Sequence, residues 1–250
     1  LSEGDVPADV MQQFAARIIG NTRRMQRIVD DLLDLSRIES GGWVPNPAEL
    51  ELRGIAAEVI SAARDAAAAK GLTAVDAPVS GGIAAANGGT LTFMVGGSAE
   101  GFDRAQPYLA QMGKAVIHAG KSGAGQAAKI CNNMILGATM IATCEAFVMA
   151  QKLGLDLKTF YDISSKASGQ SWSMTSYCPV PGVGPQSPAD KGYQGGFATN
   201  LMLKDLLLAM EAAEQVEAVV PMGARAAELY QEFANLGQGN IDFSGIIRML

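Results

Sequence analysis

Lys129 and Asn133 stand four positions apart at the start of a long apolar run, so on a helix both side chains leave the same face, about one turn in. Gly123 and Gly125 precede them and allow the tight backbone turn such a start requires. A lysine on the otherwise apolar face of a buried helix loses hydration, which lowers its pKa toward the range where it accepts a proton at neutral pH. The pair reads as a general base with an amide beside it; the alternative is a lysine whose stem covers apolar surface while its amine reaches water. Ser80, Gly81 and Gly82 follow a strand-like segment and offer a hydroxyl and unshielded backbone N–H groups, a set suited to a carboxylate, with a plain turn as the alternative.

Other chemistries are excluded by composition. His118 is the one histidine, which removes most zinc sites and every histidine-activated nucleophile not centred on it, and no metal site is expected. The three cysteines, Cys131, Cys144 and Cys178, have no C-x-x-C spacing, so neither a disulfide framework nor a zinc knuckle is expected. Gly120-Lys121-Ser122 invites a phosphate-loop reading, but the first glycine of such a loop would fall at Ala115. A net charge of -6 without a basic run argues against nucleic acid. The longest uncharged apolar stretch, 130–144, is about 15 residues against the roughly 20 a membrane span needs, and no leader segment is visible, so no membrane partner and a reducing cytoplasm are expected.

The elements that must position these residues follow from periodicity. Residues 9–39 carry a heptad with Ile18, Met25 and Leu32 on one seam and Phe14, Ile28 and Leu35 on the other, interrupted by Asn21. This predicts a long helix with a partner, internal or in another chain. Residues 41–47 hold two glycines and two prolines and read as a linker, followed by an Ala-rich helix over 51–70. Strands are expected at 72–79, 90–95 and 114–118, with a helix over 99–112. Beyond residue 125 only helical periodicity remains: 125–153, 156–166, 199–219, 222–235 and 244–250, with a long Pro-, Gly- and Ser-rich loop at 178–196. The expected fold class is mainly α with a partial α/β sheet.

Several patterned segments recur in order: Asp76-Ala-Pro-Val-Ser80-Gly81-Gly82, then Gly89-Thr-Leu-Thr-Phe-Met-Val-Gly-Gly97, then Gly123-Ala-Gly125-Gln-Ala-Ala-Lys129-Ile-Cys-Asn132-Asn133. Ser168-Gly-Gln-Ser-Trp172, Pro179-Val-Pro-Gly182, Gly192-Tyr-Gln-Gly-Gly196-Phe197 and Leu203-Lys204-Asp205-Leu206 follow. Over residues 72–250 the chain resembles the β-hydroxyacid dehydrogenase family, most closely its 3-hydroxyisobutyrate dehydrogenases. The resemblance implies an all-α C-terminal domain over 122–250 and, over 72–121, part of an NAD-binding Rossmann domain. It implies that Lys129 takes the proton of a small β-hydroxy acid while hydride passes to NAD, with oxidation of 3-hydroxyisobutyrate in valine breakdown as the reaction. Asn133 would orient the substrate, Ser80, Gly81 and Gly82 would bind it with Asn132 in support, and Lys204 would reach the cofactor. Asp205 reads as an ordinary surface ion-pair partner; Trp172 and Phe197 are read as pocket lining or as core.

The family's opening strand, G-x-G-x-x-G turn and helix do not occur in this sequence. Residues 1–42 instead resemble a sensor histidine kinase dimerisation helix, carried by Leu32-Leu-Asp-Leu-Ser-Arg-Ile-Glu-Ser-Gly41, although no histidine precedes His118 and kinase activity is therefore excluded. Residues 43–71 would be a linker and Ala-rich helix, with a junction of two unrelated genes near 62–73. A sheet without its first strands exposes unpaired edges, so a homo-oligomer or other cover is expected. The rival expectation is an inert dimerisation or scaffold protein built on the heptad helix.

Overall fold

The computed structural model describes residues 69–250 and, before them, only Thr22, Met25, Gln26, Val29, Val59, Ala62, Ala63, Asp65, Ala66 and Ala67. Apart from Met25, the heptad seams lie outside the described residues, as do the 41–47 linker and most of the 51–70 helix. The chain divides into two units, Leu1–Ile60 and Ser61–Leu250, and the second carries the fold given below.

A three-stranded sheet comes first. β1 (Val79–Ser80) runs antiparallel to β2 (Leu91–Gly96), which runs parallel to β3 (Gly113–Gly120). β2 is rich in branched and aromatic residues, and its Phe93 and Val95 face inward. The strand expected over 72–79 is mostly unpaired: it contributes a bridge from Asp76 to Gly96 and the short β1. Pro78 lies between these contacts and has no N–H to donate, although its carbonyl accepts from Met94 N at 2.9 Å. A short helix α1 (Gly82–Asn87), which the periodicity did not announce, rests on three consecutive alanines and ends at Gly88. α2 (Ala99–Leu109) is capped by Ser98, whose side chain accepts from Gly101 N at 3.1 Å.

The helical half is built on α3 (Ala124–Lys152), 29 residues long. By length and composition alone α3 could cross a membrane. Its Met140, Ile141, Cys144 and Phe147 are instead buried in the protein core, as in a core helix. Gly137 allows close helix packing, since a Cβ there would lie 3.0 Å from Leu206 Cδ2. α4 (Leu157–Ser164) is capped by Asp156, and α5 (Trp172–Thr175) by Ser171. α6 (Thr199–Gln215) and α7 (Pro221–Phe233) pack on α3, each ending short of the expected bounds. A π turn (Ala234–Gln238) and a 3-10 helix (Phe243–Arg248) close the chain. Met140, Met202, Leu206, Tyr230, Phe243 and Ile246 form the centre of this core.

The long loop is pinned rather than open. Ser187 Oγ donates to the Cys178 carbonyl at 2.8 Å, and Tyr193 Oη donates to the Pro179 carbonyl at 2.8 Å. Buried Asp242 accepts from Phe197 N and from Tyr177 Oη at 2.8 Å each, and from Ser244 N at 3.0 Å. Burial pushes the Asp242 carboxyl above its usual range, and it pushes the Tyr177 phenol up further, with Asp242 adding to the effect.

Candidate functional site

The site forms where the first turns of α3 meet the sheet. Gly123, at the N-cap of α3, has φ 90°, a left-handed conformation that glycine adopts freely. Gly125 serves a different need: a Cβ there would collide with the Met94 carbonyl and lie 2.8 Å from an Asp76 carboxylate oxygen. The two glycines expected to make one turn therefore divide the work between turning the backbone and bringing α3 against β2.

Lys129 is half-buried, and its Nζ donates to the Val79 carbonyl at 2.6 Å, one residue before Ser80. The amine thus points at the Ser80-Gly81-Gly82 turn. Desolvation lowers its pKa below the ordinary 10.5; Asp205 works against that shift and Lys204 adds to it. Gly81 (φ 131°) and Gly82 (φ 66°) both hold positive φ and are exposed, so their backbone lies open to a ligand.

Asn133 is buried, and its Nδ2 donates to Asp205 Oδ2 at 2.5 Å while its Oδ1 accepts from Asn132 Nδ2 at 3.0 Å. Asp205 Oδ1 pairs with Lys204 Nζ at 2.7 Å; the Asp205 side chain is 13% exposed and that of Lys204 59%. Asp205 is therefore no ordinary surface partner, which corrects the sequence expectation. Its neighbours on α6, Met202, Leu203 and Leu206, are all buried, and that apolar stripe was the available signal.

Lys129, Asn132, Asn133, Lys204 and Asp205 thus come together between α3 and α6. Trp172 stacks on Tyr177 with ring centres 4.8 Å apart but is itself exposed, whereas half-buried Phe197 meets Phe243 edge-on at 5.9 Å, so Phe197 extends the aromatic core and Trp172 lies on its surface. His118 is structural in its contacts: its Nε2 lies 2.9 Å from the Gly97 carbonyl and its ring stacks on Phe102. Among the described residues, no three or more His, Cys, Asp or Glu gather as a metal site.

A dinucleotide can be tested against these donors. The strand–glycine–helix turn from Gly120 to Gly123 would be the seat for a pyrophosphate, but the Asp76 carboxylate already accepts from Gly123 N at 2.6 Å and Gln126 N at 3.2 Å. That helix start does not fit an anion. Lys204 Nζ is paired with Asp205 at 2.7 Å but its side chain is 59% exposed and keeps further N–H donors for an anion, so the donors present suit part of a dinucleotide and not its pyrophosphate.

Residues 123–250 match the family profile described as NAD-binding of NADP-dependent 3-hydroxyisobutyrate dehydrogenase, and 54–120 match the NAD binding domain of 6-phosphogluconate dehydrogenase. Residues 1–41 match the His Kinase A (phospho-acceptor) domain. A 3-hydroxyisobutyrate dehydrogenase of Pseudomonas aeruginosa is 48% identical over 205 residues, covering 81% of this chain and 69% of that protein. An NAD-dependent L-serine dehydrogenase of the same organism is 43% identical, covering 82% of this chain and 69% of that protein. The solved structure of Mycobacterium tuberculosis 3-hydroxyisobutyrate dehydrogenase with L-serine superposes with a TM-score of 0.70 at 45% identity, over 76% of this chain and 65% of that one. The chain spans about two thirds of these relatives' length. Identity at this level across the sheet and the helical half, together with profiles that name NAD, identifies the chain as a member of the 3-hydroxyisobutyrate dehydrogenase family of NAD-binding oxidoreductases.

Proposed function

We propose that residues 72–250 form the substrate and proton-transfer part of an NAD-linked dehydrogenase acting on a small β-hydroxy acid, with 3-hydroxyisobutyrate, an intermediate of valine breakdown, as substrate and methylmalonate semialdehyde as product. The observation that carries this reading is the Lys129 amine, desolvated and 2.6 Å from the Val79 carbonyl beside the Ser80-Gly81-Gly82 turn. The substrate carboxylate is held by Ser80 and the open backbone of Gly81 and Gly82, which leaves the hydroxyl to face Lys129 and Asn133. Lys129 takes the hydroxyl proton, a role its lowered pKa favours, Asn133 orients the oxygen, and Asn132 and Asp205 fix the Asn133 amide. Bound NAD would supply the acceptor for the hydride of the carbinol carbon, and Lys204 would be the residue to hold it.

Turnover is weakened because this chain lacks the glycine-rich pyrophosphate seat: loss of cofactor positioning removes part of a proximity term worth about 7–11 kcal/mol. The three free thiols support work in a reducing cytoplasm. L-serine is a competing substrate, favoured by the L-serine dehydrogenase relative and the L-serine-bound structure. The second reading, an inert scaffold formed by a gene junction, is favoured by the kinase-type match over 1–41 and its lack of a histidine.

The test follows NADH formation by the full chain with 3-hydroxyisobutyrate and with L-serine. Slow formation that vanishes in Lys129→Ala supports the dehydrogenase. Activity unchanged in Lys129→Ala refutes the assigned base, and no hydroxy acid binding by calorimetry favours the scaffold. Deletion of residues 1–42 then tests the scaffold: an unchanged oligomeric state, homo-oligomeric by our reading, rules it out.

A further inference from the structure

We infer that Asp76 is a positioning residue that sets the distance between the Ser80-Gly81-Gly82 turn and the Lys129 amine. This rests on the reading of Lys129 as the base.

Asp76 holds two parts of the molecule at once. Its backbone N donates to the Gly96 carbonyl at 2.9 Å and its own carbonyl accepts from Gly96 N at 2.7 Å, which fixes it to β2. Its carboxylate reaches across to α3 and accepts from Gly123 N at 2.6 Å and Gln126 N at 3.2 Å. A carboxylate there satisfies orphan N–H groups of the helix start and lies at the positive end of its dipole. From Asp76 the chain runs through Pro78 to the Val79 carbonyl, and from Gln126 the helix runs on to Lys129, whose amine returns to that same carbonyl. The result is a closed circuit: carboxylate to helix, helix to amine, amine to carbonyl, and backbone back to Asp76.

The surroundings are shaped for this one side chain. A Cβ on Gly96 would lie 2.6 Å from each Asp76 carboxylate oxygen, and one on Gly125 would lie 2.8 Å from Oδ2. Two glycines thus leave room where any larger residue would displace the carboxylate. Without the Asp76 link, α3 would still pack on β2, but the amine would be held at the Val79 carbonyl by its own bond, and a single hydrogen bond of a long, flexible side chain fixes position poorly.

The test is an NMR titration of Lys129 in the full chain, using lysine labelled with 13C at Cε and assigned with Lys129→Arg. It compares the unsubstituted protein with Asp76→Ala and Asp76→Asn. Loss of a negative charge by itself lowers a nearby lysine's pKa, whereas release of the amine into water raises it, so the sign separates the two effects. Asp205 and Lys204, the charged groups that face Lys129, are unchanged in both variants. The expected result is a midpoint raised by about one pH unit in Asp76→Ala, with a smaller rise in Asp76→Asn, which keeps one acceptor. A low midpoint in the unsubstituted chain that stays put or falls in the variants, while the folded state is kept by circular dichroism, overturns the role of Asp76 alone. An ordinary midpoint already in the unsubstituted chain overturns the base assignment instead. Should the alanine variant not fold, the asparagine variant decides by the same criterion.

Discussion

The helical half and the sheet half of the described chain meet at one site but rest on unequal foundations. From Met140 to Ile246 a continuous set of large side chains is buried, and the buried polar groups among them are partnered. In the strands only Phe93 and Val95 reach that state among the large side chains, while Ile117 on β3 and Leu72, Ile83, Tyr108 and Met112 in the segments around the sheet are exposed. Burial of apolar area is the main stabilising term, so the helical half stands on its own core and the sheet depends on its contacts with α3. The candidate site is divided along the same line. α3 and α6 supply Lys129, Asn133, Asp205 and Lys204, whereas the Ser80-Gly81-Gly82 turn proposed to bind substrate and the carbonyl that holds the amine come from the less protected part.

The strongest challenge to this contrast is Asp242→Ala. It strips the buried acceptor of Tyr177, Phe197 and Ser244, and should cost about 1–3 kcal/mol for each donor left unsatisfied in denaturant unfolding, with lost hydrogen-exchange protection in α6 and α7. If only the sheet lost protection, the helical core would not be the self-supporting part. Gly125→Ala acts at the seam, where the new Cβ meets the Met94 carbonyl; a loss of about 1–3 kcal/mol is expected, with exchange rising in β2 and β3 before α7. Ser98→Ala removes the cap of α2 and should cost about 1 kcal/mol, read as faster exchange confined to α2 and its neighbouring strands.

The smallest effect is one of pH. Lys129 has a lowered pKa in the folded chain, so between its folded midpoint and the ordinary lysine value the unfolded chain binds more protons. Stability from this group therefore rises with pH across that window. Comparing the unfolding midpoint of Lys129→Met with that of the unsubstituted chain at several pH values should show the difference shrinking if the substitution relieves a buried charge below the window, and a flat difference would speak against desolvation.

Much of this arrangement was legible in residue order. β2, β3, α2 and the long α3 follow from branched runs and helical periodicity, and the one-turn spacing of Lys129 and Asn133 matches their shared place on α3 near α6. The strand over 72–79 was misread because pairing depends on partners that local propensity does not see, and Pro78 breaks its ladder. α1 was hidden by its glycine borders. Asp205 and Asp76 were missed as site residues for a shared reason: each acts through a contact distant in sequence, Asp205 with Asn133 and Asp76 with Gly123, and a single acidic residue carries no periodic signal of such a partner.

The state of one amine is decisive, and titrating Lys129 in the unsubstituted full chain, with and without saturating 3-hydroxyisobutyrate, tests the proposed base most directly. A midpoint below 10.5 that moves when the hydroxy acid binds is the predicted result. A midpoint at or above that value, indifferent to the acid, would contradict it.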